Sequence, residues 1–190
     1  MTQRWTPNRR TFLTTAAAAL AQPALAQSAK VQPGEDGLYH FDWYMESFLD
    51  LADDVATAAK GGKRLAVLYS QRGCIYCKRM AEDYFTNPNI VDYVRENFEV
   101  IHLDLFGARE VTDFDGAKLG EKAWAQKYGI RLTPTILFFP EKAEELGSVD
   151  LRKREVARMP GLLEPREFLA MFRFVREKAY ETSSFPEWLR

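Results

Sequence analysis

Apolar residues in this chain follow two rhythms, and the alternation between them predicts an α/β fold. From Asp42, Tyr44, Phe48, Leu51, Val55 and Ala58 recur at helical spacing, which predicts a helix ended by Gly61-Gly62. Leu65-Ala66-Val67-Leu68-Tyr69 is too short for a helix and reads as a buried central strand. A helix over Ile75–Tyr84 should follow, then a second one capped by Asn87 with Pro88 at its first position and running to about Phe98. Val100–Leu105 alternates and predicts another strand, with His102 as an ordinary half-buried strand residue.

Glu110–Gly116 is acidic and reads as a loop. Its Asp113-Phe114-Asp115-Gly116 run has too few ligands for a calcium loop and is expected to be a solvated turn. Leu119, Ala123 and Trp124 predict a third helix that stops at Gly129. Pro134 heads an apolar strand to Phe139, Glu141–Arg154 is charged and loop-like, and Glu155–Met159 reads as an edge strand hairpinned to the one before. Pro165 opens a last helix whose Phe168, Met171, Phe172 and Val175 form an i, i+3, i+4, i+7 core stripe. The tail from Thr182 carries Phe185 and Trp188 and is expected to fold back onto the domain.

The first 26 residues fall outside that pattern. Asn8-Arg9-Arg10-Thr11-Phe12-Leu13 followed by an alanine-rich apolar run and Ala24-Leu25-Ala26 reads as a twin-arginine type signal peptide, cut after Ala26. The run is short of the roughly 20 residues that span a bilayer, so no membrane span is expected after cleavage. The division is then a leader over 1–26, a polar linker over 27–41 and one domain over 42–190, working in the periplasm. The leader carries away Arg4, Arg9 and Arg10 and no acid, taking the net charge from −1 to −4. That balance lacks the basic footprint of a nucleic-acid binder.

Only two cysteines occur, Cys74 and Cys77, and in an exported protein a lone pair points to a working site and not to a scaffold. A Cys-x-x-Cys at a helix start places the first sulfur against unpaired N–H groups, which favours the thiolate. Arg72, Lys78 and Arg79 add positive charge nearby. A structural disulfide of this span would restrict the unfolded chain little. Structural zinc lacks a second ligand pair, since His40 and His102 are remote in sequence, and haem attachment would need histidine where Lys78 stands. Copper(I) capture by the two sulfurs with Met80 remains a chemically sound alternative. No metal and no separate cofactor is expected beyond the redox-active Cys74–Cys77 pair.

The order strand, Cys-x-x-Cys helix, strand, helix, Thr-Pro strand, strand, helix over roughly residues 63–181 resembles the thioredoxin fold, a central mixed sheet flanked by helices, here with an extra N-terminal helix. Gly73-Cys74-Ile75-Tyr76-Cys77-Lys78-Arg79-Met80, Asp113-Phe114-Asp115-Gly116, Thr133-Pro134-Thr135 and Met159-Pro160-Gly161 are similar to exported SoxW-type thioredoxin-like proteins. The resemblance implies that Cys74 attacks and Cys77 resolves, that Pro134 is cis against the pair, and that Thr133 offers its backbone to an extended substrate. Ile75 and Tyr76, between the cysteines, complete the expected substrate contacts. The sequence departs from thioredoxin in having Gly73 before the pair, Ile75-Tyr76 within it, and Leu68 in place of a buried aspartate, leaving Glu82 or water as proton acceptor.

The expected function is reduction of a disulfide or cysteine–sulfur adduct on a partner protein, with a membrane electron donor re-reducing the pair. The resemblance implies a place in sulfur oxidation or cytochrome maturation. A disulfide-forming oxidase or isomerase, and a copper-handling or redox-sensing module, are the alternatives.

Overall fold

The computed structural model describes residues 1–3, 31–144 and 146–190; the leader motif and its cleavage point lie outside these residues. Its elements in chain order are α1 (Leu51–Lys60), β1 (Arg64–Ser70), α2 (Ile75–Arg79), α3 (Pro88–Asn97), β2 (Phe98–Asp104), β3 (Glu110–Thr112) and β4 (Lys118–Gly120). Then come α4 (Glu121–Lys127), β5 (Thr135–Phe138), β6 (Ala157–Pro160), α5 (Pro165–Arg176) and α6 (Phe185–Trp188).

The main sheet has the order β2-β1-β5-β6. β1 pairs parallel with β2, from Arg64↔Phe98 to Ser70↔Asp104, and antiparallel with β5, which pairs antiparallel with β6. All seven residues of β1 are buried, as the continuous apolar run required. The sheet divides the core in two. Leu65, Val67 and Tyr69 face one layer with α1 residues, Trp124 and Leu137, whereas Ala66 and Leu68 face a second layer with Met80, Tyr84, Val94, Phe138 and the α5 stripe. In that second layer the Phe172 ring meets Phe98 and Phe138 edge-on at 4.9 and 5.1 Å.

The first helix begins later than its apolar period implied. Residues 42–44 turn and 45–49 run irregularly to Asp50, behind which α1 starts; the Asp50 carboxylate accepts from the N–H groups of Ala52 and Asp53. The period was satisfied by residues serving different layers. Tyr44 packs with Phe41, Trp43 and Phe85 in the second layer, while Leu49 and Leu51 join the first. Between them Met45 N–H donates to the Val100 carbonyl on the sheet-edge strand β2, Leu49 takes a positive φ of 61°, and Phe48 is left fully exposed.

α2 continues through Tyr84 as predicted, but Met80–Tyr84 is a wider turn in which Phe85 N–H reaches back to the Met80 carbonyl. Asn87 and Pro88 open α3 in the expected roles. The acidic loop is a correction. Glu110–Thr112 pairs antiparallel with Lys118–Gly120, so Leu119 lies on a strand and α4 begins only at Glu121. At the far end, Phe185 and Trp188 pack on Phe174, bringing the tail back onto α5. Among the described residues no helix is long and apolar enough to cross a membrane.

Candidate active site

Four chain segments meet at one rim of the sheet because β1 and β2 end there while β5 begins and β6 finishes there. After Ser70 the chain turns through Gly73, whose φ of 75° suits a residue without Cβ, and delivers Cys74 to the N-cap of α2. There the Cys74 Sγ accepts the Cys77 N–H at 3.0 Å, and the Lys78 N–H donates to the Cys74 carbonyl, closing the first helical turn.

Cys74 and Cys77 are joined as a disulfide with Cα atoms 5.2 Å apart. The two sulfurs are not equivalent: Cys74 is half-buried at the rim, whereas Cys77 is only 3 % exposed and faces inward. Thr133–Pro134 is a cis peptide, and the Thr133 carbonyl oxygen lies 3.4 Å from Cys74 Sγ. In the disulfide that approach is a contact, since the sulfur has no hydrogen; a Cys74 thiol could donate across it. The Thr135 hydroxyl donates to the Leu132 carbonyl and Gly161 N–H donates to the Pro134 carbonyl, so the Thr-Pro turn is tied at both sides.

Of the expected site residues, the structure brings Cys74, Cys77 and Thr133 into contact, sets Pro134 beside Thr133, and exposes Ile75 and Tyr76 on the same rim. Six large apolar side chains are exposed among the described residues, and four of them—Ile75, Tyr76, Leu132 and Phe106—come from the segments of this rim at 48–72 % exposure. Sequence reasoning missed Leu132 and Phe106. The signal for Phe106 was its place just beyond a strand parallel to β1, at the same end as the cysteine turn.

The charges around the pair differ from their sequence reading. The Arg72 guanidinium is turned onto the carbonyls of Asp36 and Glu35, each at 3.0 Å. Lys78 and Arg79 face Glu82 and Asp83 one helical turn on, and Arg79 also meets Glu164. Met80, the third soft ligand in the copper reading, is packed into the apolar core.

His102 is more enclosed than expected. Its Nε2 lies 2.5 Å from the Ser70 hydroxyl, and burial, helped by His40 and Arg109 and opposed by Asp36, pushes its pKa down to about 3. A histidine depressed in the fold stabilises it above the unfolded value near 6.5, and that contribution is lost as pH falls towards 3. Replacing His102 with glutamine should therefore reduce the acid-side loss between about pH 6.5 and pH 3 by several kcal/mol. Denaturant melts of both proteins at a series of pH values would show it as a flatter profile for the variant.

A model of the thioredoxin-like domain family matches residues 51–176, and the chain belongs to that family. With its dithiol pair, the protein is a thiol–disulfide oxidoreductase. Among solved structures, a thioredoxin-fold protein from Helicobacter pylori is 19 % identical with a TM-score of 0.51, covering 70 % of this chain and 87 % of its own. A thioredoxin from Thermus thermophilus is 23 % identical with a TM-score of 0.50, covering 66 % and 83 %. These similarities concern the fold. No curated protein sequence matches the chain.

Proposed function

We propose that this oxidoreductase is an exported periplasmic reductase of disulfides, or of cysteine-bound sulfur adducts, on a partner protein. The observation that carries the reading is the asymmetry of the pair. Cys74 sits at the rim with an N–H group aimed at its sulfur, beside a band of exposed apolar side chains, while Cys77 waits behind it. In this reading Cys74 attacks the partner disulfide and Cys77 resolves the mixed disulfide. Ile75, Tyr76, Leu132 and Phe106 supply apolar contact to a partner protein. Thr133, whose N–H makes no hydrogen bond among the described residues, pairs with an extended segment next to Pro134.

The arginine motif and Ala24-Leu25-Ala26 support export, and because the periplasm is oxidising, a membrane electron donor re-reduces the pair. The SoxW-type motifs support a partner in sulfur oxidation or cytochrome maturation. The oxidase alternative rested on the basic neighbours Arg72, Lys78 and Arg79; Lys78 and Arg79 face carboxylates, while Arg72, held on two backbone carbonyls, keeps its charge.

The equilibrium reduction potential of the Cys74–Cys77 pair tests the direction of flow. A value near about −270 mV, as in thioredoxin, is expected; one near about −120 mV would make the protein a disulfide-forming oxidase.

A further inference from the structure

Resolution of a mixed disulfide requires Cys77 to ionise, yet this sulfur is buried and β1 holds apolar Leu68 in the layer beneath α2. Burial opposes a thiolate. The Glu82 carboxylate faces Lys78 at 3.9 Å. At the rim end of β1 the buried polar side chain is Ser70, the last residue of the strand and four positions before Cys74. Side chains alternate along a strand, so Ser70 shares the face of Ala66 and Leu68. That is the face on which Met80 and Tyr84 pack, and Cys77 is on the same inward side of the helix, three positions from Met80.

His102 determines what the Ser70 hydroxyl can do. Its Nδ1 is buried without a hydrogen-bond partner among the described residues, and its Nε2 lies against Ser70 Oγ. A buried orphan N–H is rarer than an orphan acceptor, so the favoured tautomer carries its hydrogen on Nε2 and donates to Ser70. The serine's own hydrogen is then free to point away from the imidazole. Burial above all keeps the ring neutral, helped by His40 and Arg109 and opposed by Asp36. The His40 ring lies 5.3 Å away with its Nε2 on Asp36, the Tyr44 ring lies at 5.2 Å, and Arg109 donates to the His102 carbonyl.

We propose that the Ser70 hydroxyl, held in orientation by His102, donates a hydrogen bond to the Cys77 thiolate as that sulfur resolves the mixed disulfide. The inference rests on the assignment of Cys74 as attacker. In the step, Cys77 first loses its proton to water. Its sulfur then bonds to Cys74 Sγ, the bond from Cys74 to the partner sulfur breaks, and the partner leaves as a thiolate that takes a proton from water. The enzyme dithiol is oxidised by two electrons and the partner disulfide is reduced. In the disulfide form the Ser70 hydroxyl lies on His102 Nε2; in this step it acts on the Cys77 sulfur directly, and His102, acting through it, is a positioning residue.

The test is a single-turnover reaction of the reduced protein with an aromatic disulfide whose thiolate product is coloured. The first equivalent of colour reports attack by Cys74 and the second reports resolution by Cys77. Ser70→Ala should leave the first phase unchanged, slow the second about tenfold and raise its pH midpoint by about one unit, the effect of one lost hydrogen bond. His102→Leu should behave likewise, whereas His102→Gln, which keeps a donor, should recover most of the rate. Two unchanged phases, or equal slowing of both, would overturn the proposal. A first phase that survives Cys74→Ser would instead overturn the assignment on which it rests.

Discussion

Replacing Cys74 with serine is expected to bring protein-disulfide reduction down to the uncatalysed background, as read by insulin reduction with a chemical reductant as electron source. A thiol is the nucleophile only as its thiolate, and a serine hydroxyl does not ionise in the same range. The fold supplies several reasons why the effect should centre on this atom. Cys74 Sγ is the acceptor of the Cys77 N–H, it stands where the α2 dipole is positive, and it is the more exposed of the two sulfurs. The substitution should cost the fold little, because Cys74 is half-buried and the loop closed by the disulfide is short. A variant that melts like the parent but still reduces insulin at the parental rate would remove Cys74 from the chemistry.

The largest loss of stability outside the apolar core is expected from Asp113→Ala. Asp113 is buried and accepts from the Tyr128 hydroxyl, from Arg154 Nη1 at 2.9 Å and from Lys127 Nζ at 2.5 Å. Arg154 is itself buried, with Nη2 on Asp115 and on the Gly147 carbonyl. Lys127 and Arg154 hold the Asp115 carboxyl well below the usual carboxylate range. Removing Asp113 leaves two cations short of their buried counter-charge, which costs about 3 kcal/mol and lowers Tm by about 10 °C. Differential scanning calorimetry would read this directly. A change under about 1 kcal/mol would mean that the turn is solvated. Reduction of insulin by the folded variant should be unaltered, since these residues serve the β3–β4 turn and the 141–154 segment and not the cysteine rim.

That network also marks where sequence reasoning stopped. Elements marked by an unbroken local signal were legible: β1 from its continuous apolar run, buried on both faces, α5 from its stripe, α3 from Asn87 and Pro88. The cysteine pair at a helix start was legible for the same local reason. What escaped depended on long-range partners. An acidic turn looked solvated because Arg154, which neutralises it, is 41 residues away. The first helix looked long because residues 44 and 48 kept its period while the chain was crossing the β2 edge. Leu132 and Phe106 were overlooked because an exposed apolar residue becomes informative only when neighbours from distant segments share its rim. Arg72, Lys78 and Arg79 were read only as positive charge near the pair, and their partners lie on the N-terminal segment, one turn along the helix and, for Arg79, also at Glu164.

The central claim is that Cys74 attacks and Cys77 resolves, and trapping measures it most directly. A Cys77→Ser protein, reduced and mixed with a disulfide-bonded protein, should accumulate a one-to-one mixed disulfide, and peptide mapping should place the linkage at Cys74. The Cys74→Ser protein should trap none, because its remaining sulfur is buried. A stable adduct through Cys77 in that second protein, with none through Cys74 in the first, would contradict the account.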